Sequence, residues 1–182
     1  MEIIAIGGSA GSFKIATDLL SNIKKGSHKT VIVCLHRWKE KSTDFVKTLT
    51  VKSSLQAIEI TDKMEIQAEK IYVAPPNYHV YVTSNMNFVL TNEEEFSFSR
   101  PSIDICFSSI ASVFCDKATG ILLSGANNDG AIGLLDIYRA GGNALVQLPS
   151  ECEISVMPEA AIEINPYVTI LSVCDIKKQI IK

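Results

Sequence analysis

Residues 2–11, EIIAIGGSAG, decide the fold of this chain. The apolar first half predicts a strand that is covered on both faces, and the glycine-rich second half predicts a tight turn. Apolar residues then recur at helical spacing through residues 13–20, and the run TVIVCL at residues 30–35 predicts a second buried strand. Strand, turn, helix and strand together predict a right-handed β-α-β unit.

The remainder of the chain continues this alternation. Further strands are predicted at residues 56–60, 70–74, 120–123, 144–146 and 169–173, and helices at 103–114, 134–138, from 157 and at 175–182. Alternating residues 79–83 and 87–91 flank a turn and predict an antiparallel β-hairpin. The predicted fold class is α/β: a three-layer α/β/α architecture, whose doubly wound, largely parallel sheet has about seven strands and one antiparallel hairpin excursion.

Length and composition indicate one domain over residues 1–182, and they exclude several classes of protein. The net charge of −3 argues against a nucleic-acid partner, and no apolar run reaches the ~18 residues that a membrane span needs. The start lacks the basic and apolar regions of a signal peptide. Five cysteines without C-x-x-C spacing argue against a disulfide framework or a zinc site, and three of them are expected in the core. A cytoplasmic protein is therefore expected.

Three reactive side chains, Ser9, His36 and Asp129, directly follow predicted strands. Carboxyl ends of parallel strands meet at one edge of a sheet, where ligands of such folds usually bind. A serine nucleophile needs a base for its proton, and the base needs an anion that orients it. The sequence therefore predicts a catalytic triad at this edge.

Each of the three also has an alternative interpretation. Ser9 lies in a G-x-S-x-G pattern that suits a nucleophile, but the same turn can cradle phosphate or be merely structural. A dinucleotide site is disfavoured, because Ser9 replaces a required glycine and His36 stands where an acidic residue is expected. His36 alone is equally compatible with a core or loop histidine. Asp129 precedes a predicted helix and is also a candidate N-cap.

Other polar residues are weaker candidates. His28 lies in a Gly-Ser turn and is expected in solvent, whereas His79 either borders the site or simply begins a strand, which is the preferred interpretation. Arg37 and Trp38 follow His36 and either line a substrate groove or pack on the surface.

Six blocks, in order along nearly the whole chain, resemble the catalytic domain of CheB-type protein-glutamate methylesterases. They are Ile6–Gly11, Leu35–His36, Ile71–Pro76 with His79, Arg100–Asp104, Leu123–Ala131 and Met157–Ala161. The resemblance implies hydrolysis of glutamate methyl esters on the cytoplasmic helices of methyl-accepting chemotaxis receptors, with receptor glutamine as a second substrate. It implies Ser9 as nucleophile, His36 as general base, Asp129 as its orienting anion, and no cofactor or metal.

Two departures from the family pattern affect the predicted wall and oxyanion contacts, for which the candidates are Ala10, Gly125 and Ala126. The family has Thr after the nucleophile and Thr-Gly-Met-Gly before the aspartate, whereas this chain has Ala10 and Ser124-Gly125-Ala126-Asn127. A weakly active or inactive member that binds a receptor or kinase is therefore the alternative function.

Family members usually carry a regulatory receiver domain. Because this chain begins at the catalytic strand, that control is expected to be absent or to come from another polypeptide, such as a separate receiver domain or histidine kinase.

Overall fold

The structure is a computed structural model that describes residues 1–37, 42–95 and 99–181. Within these residues, seven parallel strands form one sheet in the order β3-β4-β2-β1-β7-β8-β9, and β5 and β6 pair separately and antiparallel. The strands are β1 (Glu2–Gly8), β2 (Lys29–Leu35), β3 (Gln56–Glu59), β4 (Lys70–Val73), β5 (His79–Val82), β6 (Phe88–Thr91), β7 (Ala118–Leu122), β8 (Asn143–Gln147) and β9 (Thr169–Leu171).

Helices cover both faces of the sheet, which gives the three layers. Helices α1, α2 and α6 pack on one face, and α3, α4 and α5 pack on the other. The helices are α1 (Ser12–Ser21), α2 (Ser42–Lys52), α3 (Ile103–Phe114), α4 (Ala131–Arg139), α5 (Val156–Ile164) and α6 (Val173–Ile180).

The central strand β1 is apolar from Ile3 onward because its side chains are buried on both faces of the sheet. Ile3 and Ala5 enter the core beneath α3 and α4, while Ile4 and Ile6 enter the core beneath α1 and α6. All four are nearly or fully buried. Burying one isoleucine side chain stabilises the fold by roughly 1.5–3 kcal/mol, so β1 anchors both cores and fixes the position of the turn that follows it.

The hairpin β5–β6 lies outside the main sheet and packs on α3 with its inward residues Val80, Val82 and Phe88. The Phe88 ring meets the Tyr72 ring of β4 at a centroid distance of 5.0 Å. This apolar contact ties the hairpin to the sheet and holds the chain that enters α3.

The structure confirms the predicted α/β fold, its seven-stranded parallel sheet and the hairpin. Two details differ. Strand β9 ends at Leu171 and not at residue 173, because residues from Val173 onward form α6. Three cysteines were expected in the core, but only Cys34 and Cys106 are fully buried, whereas Cys115 and Cys174 are exposed. None of the helices in the described ranges combines the length and the apolarity that crossing a membrane requires. That residues 1–182 form one catalytic domain without a receiver domain stays a prediction.

Candidate active site

Ser9 and His36 lie side by side at the carboxyl edge of the sheet. Gly8 and Leu35 are register partners in β1 and β2, and the ladder continues with a hydrogen bond from His36 N to Gly8 O of 3.1 Å. On the other side of β1, Ser9 N donates to Ser124 O at 2.9 Å, just beyond β7. The two side chains line one cavity of about 450 Å³. The predicted convergence at this edge is therefore observed for Ser9 and His36.

The turn that carries Ser9 is held from inside the protein. Ser12 Oγ donates to Ser9 O at 2.6 Å, and the buried Ser124 Oγ donates to Ala10 O at 2.7 Å. Gly11 has a φ of +80°, in the left-handed region that favours glycine. The N–H of Ala10 has no acceptor among the described residues. It lies at the start of α1, where backbone N–H groups favour a negative charge.

Asp129 is fully buried and each of its carboxylate oxygens accepts two hydrogen bonds. Oδ1 accepts from Ser102 Oγ at 2.9 Å and Asp104 N at 3.0 Å, and Oδ2 accepts from His36 at 2.8 Å and Ile103 N at 2.7 Å. The carboxylate thus sits on the N-terminus of α3, whose N-cap is Ser102. A helix N-terminus stabilises an anion, so this position is electrostatically suited to a buried aspartate.

The surroundings of Asp129 keep it ionised. Burial by itself would raise the pKa of Asp129, but the hydrogen bond from His36 and those from the Asp104 and Ile103 N–H groups bring it below its ordinary value. The neighbouring Asp104 behaves oppositely: burial, with the Asp129 charge adding to it, raises its pKa to about 6. Of this buried pair, Asp129 is the carboxylate that ionises at the lower pH, and it is the one that bonds to His36.

The His36 ring bonds to a different partner at each nitrogen. Nε2 lies 2.8 Å from Asp129 Oδ2 and Nδ1 lies 3.3 Å from Ser99 Oγ, which also accepts a hydrogen bond from Asn127 Nδ2 at 3.2 Å. Because an ionised carboxylate only accepts, Nε2 carries the proton and Nδ1 presents its lone pair. Ser9 Oγ makes no hydrogen bond within the described residues, so the serine and the base share a cavity without being bonded.

Two arginines and one glutamate, Arg37, Arg100 and Glu95, contribute charged groups to the lining of this cavity. Arg37 is bonded through Nη2 to Glu59 Oε2 at 3.2 Å and to the Ala74 carbonyl, and its guanidinium lies 5.7 Å from the centre of the Phe45 ring. Burial lowers the pKa of Arg37, although Glu59 opposes this shift. Arg100 Nη1 donates to the carbonyl oxygens of residues 92 and 93 at 3.0 and 2.7 Å. Both side chains are therefore held in place near Ser9.

The other predicted site residues are placed as follows. Ala10 lines the cavity and Ala126 is exposed. Gly125 is buried, with so little room that a Cβ there would come within 2.6 Å of Met157 Cε. Within the described residues the cavity lining includes neither Gly125 nor Ala126. Trp38 lies outside the described residues, whereas the predicted groove residue Arg37 does line the cavity.

Three alternatives from the sequence are resolved. The N-cap interpretation of Asp129 is wrong, because Gly130 is the N-cap of α4. The Asp129 carboxylate instead accepts hydrogen bonds from the first N–H groups of α3. His28 is exposed, as predicted. His79 begins β5 and is buried, where Nδ1 accepts from Ser102 N at 3.1 Å and Nε2 faces Glu94 O at 2.9 Å. His79 therefore supports the segment that holds Asp129.

Sequence reasoning assigned no role to Ser99 or Ser102, although both bond directly to the predicted triad residues. A Ser immediately before the apolar stripe of α3 is an N-cap signal, and it could have directed attention to a helix start that needs an anion. Nothing in the sequence pattern marks Ser99. Over residues 1–37, 42–95 and 99–181, no cluster of three His, Cys, Asp or Glu side chains is arranged to hold a metal ion.

Comparison with known proteins gives concordant matches. Residues 4–180 match the family model described as CheB methylesterase. A candidate protein-glutamate methylesterase/protein-glutamine glutaminase of Leptospira interrogans is 36% identical over 171 residues, covering 94% of this chain and 89% of that protein. The protein-glutamate methylesterase/protein-glutamine glutaminase 1 of Caulobacter vibrioides is 32% identical over 90% of this chain, which spans 48% of it.

The fold is matched by a crystal structure, that of the CheB methylesterase catalytic domain of Thermotoga maritima. It has a TM-score of 0.93 and 23% sequence identity, and the match covers 99% of this chain and 97% of that one. The family model and the identity to curated relatives agree with this architecture, and the chain belongs to the CheB methylesterase family.

Proposed function

We propose that this chain is a protein-glutamate methylesterase that hydrolyses glutamate methyl esters through Ser9, His36 and Asp129. The observation that carries the proposal is the His36–Asp129 hydrogen bond of 2.8 Å beside a cavity that Ser9 also lines. A buried, ionised carboxylate that accepts from one ring nitrogen fixes the proton there, so the other nitrogen, Nδ1, is the one that can act as a base. Family membership supports the same reaction.

The geometry suggests the following course. Ser9 Oγ attacks the ester carbonyl carbon and its proton passes to His36 Nδ1, because Nε2 is already bonded to Asp129. The negative oxygen of the tetrahedral intermediate accepts a hydrogen bond from Ala10 N–H at the start of α1. Its collapse breaks the bond to the methoxy oxygen, which takes the proton from His36 and leaves as methanol. Water, deprotonated by His36, then releases the glutamate carboxylate and restores Ser9.

Asp129 orients His36 and stabilises the imidazolium that forms in each half of the reaction. Three further donors besides His36 hold its carboxylate in one position, namely Ser102 Oγ and the N–H groups of Ile103 and Asp104. Because the anion is already bonded and oriented before substrate arrives, little reorganisation is needed when the ring becomes charged.

The proposed substrates are the cytoplasmic helices of methyl-accepting chemotaxis receptors, and the proposed location of the protein is accordingly the cytoplasm. Names of the relatives include protein-glutamine glutaminase, so receptor glutamine is a second proposed substrate, with ammonia leaving instead of methanol. Arg37 and Arg100 in the cavity lining suit a receptor segment whose unmodified glutamates are negatively charged.

Methanol release from a methylated receptor fragment tests the proposal, with wild type, Ser9→Ala and Ser112→Ala compared at equal concentration. Ser112 is an exposed serine on α3 whose hydroxyl bonds only its own helix, and it serves as the matched control. Loss of the nucleophile is expected to lower the rate by at least roughly 10³-fold, while the control retains it. Equal rates for wild type and Ser9→Ala would refute the assignment of Ser9.

A receptor-binding or kinase-binding module with little turnover is the second candidate. It is favoured by one observation: the His36 lone pair faces Ser99 and not Ser9. In that case wild type would release no methanol above background, and receptor affinity would be the same for wild type and Ser9→Ala. Measuring affinity and turnover on the same receptor fragment distinguishes the two functions.

A further inference from the structure

Four residues form a closed circuit of hydrogen bonds around the predicted base. Asp129 Oδ2 bonds to His36 Nε2, and His36 Nδ1 bonds to Ser99 Oγ. Asn127 Nδ2 donates to Ser99 Oγ at 3.2 Å, and Asn127 Oδ1 accepts from the backbone N–H of Asp129 at 3.2 Å. The circuit therefore begins and ends at the same aspartate and includes both ring nitrogens of His36.

The direction of each hydrogen bond follows from the chemistry of its groups. Asp129 accepts from Nε2–H, so Nδ1 holds a lone pair and accepts from the Ser99 hydroxyl. The Ser99 oxygen in turn accepts from the Asn127 amide. Each hydrogen bond of the circuit thus pairs a donor with an acceptor, and the arrangement fixes one tautomer of His36.

A nitrogen lone pair accepts one good hydrogen bond at a time. In the proposed reaction the Nδ1 lone pair must accept the proton of Ser9, but in this structure it is occupied by Ser99. Ser9, Ser99 and His36 line the same cavity. The two serines are therefore competitors for a single acceptor, and the contact of 3.3 Å to Ser99 is long enough to be displaced.

Ser99 is held more firmly than a loop serine in solvent. Its exposed fraction is 9%, and it lies three residues before Ser102, whose hydroxyl binds Asp129 Oδ1. One short segment thus contacts His36 with its first serine and Asp129 with its second. The segment itself is fixed by the bond from Ser102 N to the buried His79.

We infer that Ser99, held by Asn127, is a positioning residue that keeps the Nδ1 lone pair of His36 engaged until Ser9 replaces it. This inference rests on the proposed function, because it requires His36 to be the base for Ser9. It assigns a use to Asn127, which stands where the family pattern has a glycine. The contact restrains the base in the absence of substrate, and the orientation of the ring survives its loss because Asp129 still holds Nε2.

Two measurements on Ser99→Ala test the inference, with Ser99→Thr as the variant that keeps the hydroxyl. The first is the 15N NMR spectrum of the His36 ring, in which the Nδ1 resonance is expected to move while the Nε2–H tautomer persists. The second is the rate at which a small fluorophosphonate labels Ser9, with the labelled peptide identified by mass spectrometry. Freed from competition, Ser9 of Ser99→Ala is expected to react roughly two- to ten-fold faster than wild type, the range for removing one neutral hydrogen bond.

Asn127→Gly adds an independent check. Because Asn127 acts through Ser99, the double variant Ser99→Ala/Asn127→Gly is expected to label no faster than Ser99→Ala alone. Thermal unfolding of each variant identifies any that fails to fold. If Ser99→Ala does, Asn127→Gly carries the test: it should label Ser9 faster than wild type, with Ser99→Thr as the control at the wild-type rate, and a rate at or below wild type would overturn the inference.

Three results would overturn the inference. They are an unchanged Nδ1 resonance in Ser99→Ala, a labelling rate of that variant at or below wild type, and an additive gain in the double variant. Failure of the proposed function would give a different labelling result: Ser9 would remain unlabelled in wild type and in all variants. The NMR comparison would still report whether Ser99 occupies Nδ1.

Discussion

Replacing Asp129 by asparagine keeps the shape of the side chain and removes its charge, and the structure specifies the consequence. The amide has one oxygen in place of two, whereas the carboxylate accepts hydrogen bonds at both. If the NH₂ group takes the place of Oδ1, it opposes the N–H of Asp104. If it takes the place of Oδ2, it opposes the N–H of Ile103. Neither backbone group can reverse, so at least one charge-assisted hydrogen bond is lost in each orientation.

The magnitude follows from these losses. A hydrogen bond to a charged group contributes about 1.5–3 kcal/mol, so Asp129→Asn is expected to lower the free energy of unfolding by about 2–5 kcal/mol. In the orientation that faces His36, the NH₂ group forces Nε2 to accept and moves the ring proton to Nδ1, which abolishes the base. A wrong tautomer of this kind costs about 10⁴-fold in kcat, or about 5.5 kcal/mol.

The assay combines methanol release from a methylated receptor fragment, urea unfolding and the 15N spectrum of His36. Asp136→Asn is the matched control. Asp136 lies on α4, outside the site, and its carboxylate accepts a hydrogen bond from the hydroxyl of Ser108 on α3 at 2.6 Å. The control is expected to keep its turnover. A fall in kcat of less than ten-fold for Asp129→Asn, once the 15N spectrum shows that the ring proton has moved to Nδ1, would refute the role assigned to this carboxylate.

Three further predictions concern the support of the site. Burial raises the pKa of Asp104 from 3.8 to about 6. Between about pH 4 and 6 the folded protein therefore retains a proton that the unfolded chain loses, and the free energy of unfolding falls as pH rises. Asp104→Asn should remove about 1–3 kcal/mol of this fall, measured by urea unfolding at several pH values. Ser124→Ala should lower kcat in the methanol assay about ten-fold, because the hydrogen bond to Ala10 O is lost. Ser124→Thr keeps the hydroxyl and should remain near wild type. Equal rates for the two variants would contradict this prediction. Gly125→Ala should lower stability by about 1–3 kcal/mol, because its Cβ would meet Met157 at 2.6 Å, and Met157→Ala should cost less in that background than in wild type.

The layers of the fold and the neighbourhood of Ser9 and His36 were predictable because both depend on periodicity. An apolar run that buries both faces must be central in a parallel sheet, and the residues that follow two paired strands must be neighbours. The contacts of Asp129 were not predictable in the same way. Its local pattern indicated a cap for the helix that follows it, but the chain brings it to the start of α3, 26 residues earlier, and only tertiary packing decides between these two helices.

Ser99 shows a second limit. It belongs to no strand or helix pattern, and its relevance comes from its contact with His36 across 63 positions of sequence. A side chain that acts through one long-range hydrogen bond leaves no local pattern of hydrophobicity or spacing.

The isolation of the Ser9 hydroxyl has a practical consequence. The turn around it is fixed by Ser12, Ser124 and backbone bonds, whereas Ser9 Oγ itself bonds to none of the described residues. Removing that one oxygen should therefore leave the cavity and its charged lining undisturbed, whereas substitution of Asp129 weakens the start of α3. Ser9→Ala is the variant with which to build a substrate trap: it should hold a methylated partner long enough for crosslinking, and the crosslinked residues would locate the modified glutamates.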